Sequence, residues 1–152
     1  MNMKYLSNMK RFYTICLIVG AASCALAKAQ SLETVRIISY NVENLFDCEN
    51  DSLTDDESFT PEGEHQWTEG KYKNKLNNIS RAITAAGEWE KPVIIGLCEV
   101  ENKKVLTDLL QHTQLKICGY QFVHKDSPDQ RGVDVALAYQ PSRFKLIQEE
   151  FI

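Results

Sequence analysis

Asn41, Glu43 and Glu99 are the residues whose type and setting best suit chemistry on a hard cation. Glu99 directly follows the apolar run Val93-Ile94-Ile95-Gly96-Leu97-Cys98. A carboxylate at the end of such a run is costly to bury ionised, so something positive must face it. Two partners are open: a nearby Lys or Arg, or a divalent cation such as Mg²⁺, which prefers oxygen ligands. Asn41 closes another β-rich segment, where an amide either orients a ligand or simply serves a turn. Glu43 shares the Asn41 face if the extended chain continues, and then extends an oxygen set or stands as a solvated carboxylate. Arg131, before Gly132 and a second apolar run, could hold a phosphate in a two-pronged grip. An ion pair with Asp126 or Asp129 is the alternative. His124 alternates with Tyr120 and Phe122, a pattern that more often packs an imidazole than presents it. Asp134, between Val133 and Val135, reads as a buried hydrogen-bonding group.

The elements that must position these groups follow from periodicity. Val35 to Tyr40 is β-branched and predicts a strand. After Asp47 the chain turns acidic and aperiodic through Glu64, as a solvated surface loop would; the spacing does not fit a helix-loop-helix calcium site. Tyr72, Leu76, Ile79 and Ile83 recur at helical spacing between Thr68 and about Ala86, with Gly87 as a stop. Val93 to Cys98 reads as a strand buried on both faces. Asn102 can cap a second helix bearing Val105, Leu106, Leu109 and Leu110. Tyr120–His124, Val133–Tyr139 and about Phe144–Phe151 complete the set as strands. Strand, helix, strand, helix and then strands predict α/β layers around a sheet in one domain.

Composition sets the outer limits. With 43 % hydrophobic and 25 % charged residues among 152, the chain is that of a globular protein and not a disordered one. Lys4, Lys10, Arg11 and Lys28 lie in the first 29 positions, which hold no Asp or Glu, so the remainder is more acidic than the net −4 suggests. That weighs against bulk electrostatic binding of nucleic acid, but not against cleavage at a local metal. The basic start, the apolar run Phe12–Val19 and the Ala-x-Ala exits at Ala25–Ala27 and Ala27–Ala29 make residues 1–29 a secretory signal peptide. The mature chain then covers 30–152, exported to periplasm or medium, with no stable membrane span. Lipid attachment at Cys24 is the lesser alternative. Cys48, Cys98 and Cys118 show no metal-ligand spacing, and Cys98 reads as a small buried hydrophobe. No Gly-rich phosphate loop, nucleophile elbow or HExxH pattern occurs, which excludes the kinases, hydrolases and zinc peptidases built on them.

Three segments in order resemble one family. Arg36-Ile37-Ile38-Ser39-Tyr40-Asn41-Val42-Glu43-Asn44-Leu45-Phe46-Asp47 is similar to the opening strand of the endonuclease/exonuclease/phosphatase superfamily. Ile94-Ile95-Gly96-Leu97-Cys98-Glu99-Val100-Glu101 resembles its second motif, and the segment from Asp126 to Tyr139 resembles one in its secreted bacterial members. The resemblance implies a four-layer α/β sandwich, two packed sheets flanked by helices, and hydrolysis of a phosphoester with Mg²⁺, or Mn²⁺ or Ca²⁺. It implies Glu99 as principal metal ligand, Asn41 as orienter of phosphate or metal, Glu43 as a second acidic ligand, and Arg131 and His124 as phosphate contacts. The substrate would be nucleic acid or a small phosphoester. The family's later Gly-Asp-x-Asn motif and final Asp-His pair have no counterpart here. The expectation is therefore the first half of a longer enzyme, inactive alone. The rival expectation is a secreted interaction module that keeps part of the fold without catalysis.

Overall fold

A computed structural model describes residues 34–150, all but one of them in the compact unit Val35–Ile152. The signal-peptide and Cys24 readings fall outside the described residues. The elements are β1 (Ile37–Leu45), α1 (Glu69–Ala86), β2 (Ile94–Val100), α2 (Lys103–Gln111), β3 (Gln121–His124) and β4 (Asp134–Tyr139), with 3₁₀ turns at Glu57–Phe59 and Gln114–Cys118. The four strands form one sheet in the order β1-β2-β4-β3, with β1 and β2 parallel and the other pairs antiparallel. The fold is α/β.

The helices begin where their caps require. Thr68 accepts a hydrogen bond from the Lys71 N–H, and Asn102 accepts from Lys104 and Val105 N–H groups, satisfying donors that the first turn leaves open. Tyr72, Leu76, Ile79 and Ile83 of α1 and Val105, Leu106, Leu109 and Leu110 of α2 are buried. They pack in one core with Val42 and Leu45 of β1, Ile95, Leu97 and Val100 of β2, and Ala136 and Ala138 of β4. Truncating a residue such as Leu106, fully buried there, to Ala should cost about 2–5 kcal/mol. Gly87 ends α1 in a helical conformation (φ −71°), and Glu88 takes the left-handed turn (φ 52°). Glycine is needed at 87 for space: a Cβ there would lie 2.8 Å from the Glu90 carbonyl oxygen and 2.9 Å from Pro92 Cδ.

Three expectations are corrected. The β2 strand is buried on one face only, because Ile94, Gly96 and Cys98 look onto a side that no described element covers. On that side Ile37 is 62 % and Val135 65 % exposed. No strand forms beyond Tyr139 among the described residues. Arg143 and Phe144 N–H groups both bond back to the Gln140 carbonyl, which turns the chain away from the ladder a strand would need. The acidic loop is not wholly solvated: Asp47 and Asp56 are buried, and Phe59 stacks on Phe46 at 4.2 Å and meets His65 and Trp67.

Candidate active site

Glu99 sits on a bulge and not on a plain strand end. Cys98 pairs with Val135 of β4 and Val100 with Asp134, so Glu99 has no partner of its own there. Toward β1 the register also slips, from Asn41 opposite Cys98 to Leu45 opposite Val100. Bulges of this kind re-aim a side chain that the pleat would otherwise fix. Glu99 takes φ 63°, and across the slip Glu43 and Asn44 take φ 57° and 59°. Left-handed backbone at a residue with a Cβ costs roughly 1–2 kcal/mol. Three such residues on two neighbouring strands are strain of the kind that gathers at functional sites.

The slip brings the predicted residues together. Asn41 Nδ2 donates to Glu99 Oε1 at 3.0 Å, and the Asn44 N–H donates to Oε2 at 3.1 Å. The Glu43 N–H donates to Asn41 Oδ1 at 2.7 Å. Asn41 therefore holds Glu99 by its amide nitrogen, while its oxygen is occupied by backbone. Glu99 is half-buried, and Asn41 and Glu43 are exposed. The counter-charge that burial demands is present: Lys75 of α1 feels both Glu43 and Glu99, and Arg131 feels Glu99.

A hard cation suits this donor set. Glu99 offers carboxylate oxygens, Glu43 stands in the strained turn beside it, and the buried Asn44 Oδ1 in that turn has no hydrogen-bond partner among the described residues. Oxygen-only ligands match Mg²⁺ or Ca²⁺ better than zinc.

Arg131 grips Asp129 from two sides, Nη2 to Oδ2 at 2.9 Å and Nε to Oδ1 at 3.2 Å. The pairing holds the Asp129 carboxyl below its usual range. Both side chains reach solvent. His124 is placed differently. Its side chain is fully buried, and Nε2 lies 3.1 Å from Asp134 Oδ2. Because the carboxylate can only accept, Nε2 carries the proton. Packed in this way, His124 does not reach an external phosphate. Asp134 Oδ1 accepts from the Ser127 N–H at 2.7 Å, so both oxygens are occupied and the pair pins the loop carrying Arg131. Ligand atoms of His124, Asp126 and Asp134 lie within 4.8 Å of one another.

Sequence reasoning missed the second layer. Glu101, buried, accepts from the Asp47 N–H at 2.7 Å. Its carboxyl is pushed up to about 7, by burial first and then by Asp47 and Asp56, against the opposing Asp47 hydrogen bond. Asp47 in turn meets Lys104 Nζ and Asn102 Nδ2, each at 3.3 Å. Asp47 and Glu101 fall inside the quoted motifs, but one-dimensional spacing does not reveal that they meet. Lys75 carried no signal beyond its place on α1.

A model of the endonuclease/exonuclease/phosphatase family matches residues 36–152. No curated protein and no solved structure matches the chain.

Proposed function

The chain belongs to the endonuclease/exonuclease/phosphatase family, and from that premise we propose that the full-length protein is an exported, divalent-metal-dependent phosphoesterase with Glu99 as its principal metal ligand. The observation that carries this reading is the Glu99 carboxylate, aimed by a bulge and held on both oxygens in strained backbone. A cation bound there, Mg²⁺ first and Mn²⁺ or Ca²⁺ as substitutes, supplies charge stabilisation at the phosphoryl oxygens. Glu99 and Glu43 hold it, and Asn41 fixes the Glu99 rotamer through Nδ2. Arg131 releases Asp129 to take two phosphate oxygens in its planar fork. His124 contributes by anchoring the Arg131 loop and not by touching substrate. The proton-transfer residues belong to the Gly-Asp-x-Asn and Asp-His motifs, which the 152 residues do not include, so the activity is assigned to the full-length protein.

The substrate class is phosphoester, nucleic acid or small molecule. The test is hydrolysis of plasmid DNA, RNA and an aryl phosphodiester by the full-length protein with Mg²⁺ and with chelator. Chelator-sensitive turnover lost in Glu99→Gln is the expected result; turnover that survives Glu99→Gln overturns the assignment. A second reading, a binding module without catalysis, draws support from the open apolar sheet face with Ile37, Val135 and Leu137 exposed. It predicts no turnover on any of these substrates. Among the described residues no helix is long and apolar enough to cross a membrane. Export is tested by the N-terminus of the mature protein, expected near Lys28 or Gln30; a lipid-modified Cys24 there would mean membrane attachment.

A further inference from the structure

The geometry of one peptide group links Glu99 to a residue that no motif contains. Lys75 Nζ donates to the carbonyl oxygen of Glu43. The N–H of that same peptide unit, on Asn44, donates to Glu99 Oε2 at 3.1 Å. No described peptide bond is cis, and in a trans peptide the C=O and N–H point in opposite directions. The unit is therefore held from both sides, by an ammonium at its oxygen and a carboxylate at its N–H. The two charges lie at the ends of the peptide dipole that favour them.

The grip opposes a real tendency. Glu43 and Asn44 both sit at positive φ, a conformation that glycine adopts freely and other residues adopt at a cost. Rotating the 43–44 peptide by half a turn would return Asn44 to negative φ. It would also point the N–H away from Glu99 and leave Oε2 with one partner fewer. Lys75 blocks that rotation only while its donor stays at the Glu43 carbonyl. Trp67 helps keep it there: Nζ lies 5.7 Å from the indole centroid, within cation–π range. The indole is itself fixed by its N–H bond to the Phe46 carbonyl at 3.0 Å.

We propose that Lys75 is a positioning residue for the Glu99 carboxylate, acting through the Glu43–Asn44 peptide that it holds in its left-handed form. The proposal rests on the reading of Glu99 as metal ligand for its consequence, but not for the peptide geometry. The experiment uses the full-length protein with Mn²⁺ as probe, its affinity read by electron paramagnetic resonance, and the Asn44 amide followed by NMR and hydrogen exchange. Lys75→Met keeps the aliphatic stem and removes the donor. It should weaken Mn²⁺ about 10-fold, the scale of losing an outer partner of a metal ligand, and lower protection of the Asn44 amide while α1 and β2 amides keep theirs. Lys75→Arg should restore most of both. Asn44→Gly added to Lys75→Met should also restore protection of the residue 44 amide, because glycine removes the incentive to rotate. A lysine that acted only through its charge, or only by packing, would not be rescued by a neutral backbone change. Wild-type Mn²⁺ affinity and Asn44 protection in Lys75→Met overturn the proposal, as does a loss that neither Lys75→Arg nor Asn44→Gly repairs. If Glu99→Gln leaves Mn²⁺ affinity unchanged, the reading of Glu99 fails, and the Asn44 amide still reports on Lys75 independently. Should Lys75→Met not fold, Lys75→Arg against Lys75→Gln reads the same amide.

Discussion

Two corners of the same sheet hold a carboxylate beside a polar partner, and they are built on opposite terms. At the β3–β4 corner Asp134 and His124 are buried, and both Asp134 oxygens are bonded, to His124 and to the Ser127 N–H. His124 keeps its ladder pairing, with Ala136 opposite it. At the β1–β2 corner Glu99 is half-exposed, off the ladder and itself at positive φ, as are Glu43 and Asn44 across the slip. The first arrangement gives both buried carboxylate oxygens a partner and so adds rigidity. The second gives up backbone comfort to aim a charge toward solvent, the arrangement that the proposed ligand role of Glu99 would require. The contrast separates a latch from a site without reference to residue type, since Asp and Glu are chemically equivalent here.

The largest effect should come from exchanging charge for amide at the site. Glu99→Gln in the full-length protein should lower Mg²⁺-dependent hydrolysis about 100-fold or more, the upper end for losing a charged metal ligand or its support. Its urea midpoint should stay near that of the parent. At the latch the signs reverse: Asp134→Ala strips the buried His124 ring and the part-buried Ser127 N–H of their partner and should cost about 2 kcal/mol in urea unfolding. Turnover per folded molecule should change far less. A stable but inactive Asp134→Ala protein would erase the contrast. So would Mn²⁺ binding that persists in Glu99→Gln and disappears in Asp126→Ala, for then the latch would be the metal centre.

A third carboxylate sharpens the comparison because it is buried without being satisfied. Asp56 is 1 % exposed; its Oδ2 accepts from the Asp51 N–H, but Oδ1 has no hydrogen-bond partner among the described residues. Burial, with help from the Asp51 and Glu57 charges, raises its pKa. A carboxyl with a raised folded pKa stays protonated in the native state while the unfolded chain ionises. Stability conferred by the neutral form is therefore present at low pH and is lost as pH rises from the ordinary Asp value through the raised one. Asp56→Asn should stabilise the protein by about 1 kcal/mol at neutral pH, with the gain vanishing below about pH 4. Thus amide for carboxylate gains stability at Asp56, while losing the carboxylate at Asp134 costs it. A pH-independent difference would mean that Asp56 is ionised and paired in solution.

How much of this was legible in the sequence follows from what periodicity encodes. The two helices, with caps at Thr68 and Asn102, were readable because their apolar residues repeat at a fixed spacing, and the four strands because short β-branched or apolar runs stand between turn signals. Asn41 and Glu99 were readable because polar residues interrupt apolar runs. What stood outside reach was register. The slips that place Asn44 and Glu43 against Glu99 depend on how two strands 50 residues apart align, and no local pattern records that. The open side of β2 was misjudged for a related reason: Ile94 and Cys98 are apolar whether or not a layer covers them. Lys75 was invisible because a lysine on a surface helix looks alike whether it faces water or a carbonyl.

The smallest predicted effect concerns Arg131, which lies between the two corners in kind. It is exposed like the site yet paired like the latch, through two bonds to Asp129. An exposed pair of this sort contributes little to stability, so under the proposed function its consequence would lie in competition, with Asp129 and a substrate phosphate seeking the same guanidinium. Asp129→Asn keeps an oxygen for the Arg131 N–H that now bonds Oδ1 at 2.8 Å, so the loop should hold its shape and melt at the parent temperature. Removing the charge should lower KM about two- to fivefold with kcat unchanged, the range that the strength of a surface ion pair allows. The difference should shrink as salt is raised, because the competing pair is screened. A KM that rises, or a kcat that falls with KM fixed, would instead make the Asp129–Arg131 pair part of the loop's architecture. Arg131 would then belong with His124 and Asp134 on the side of the latch.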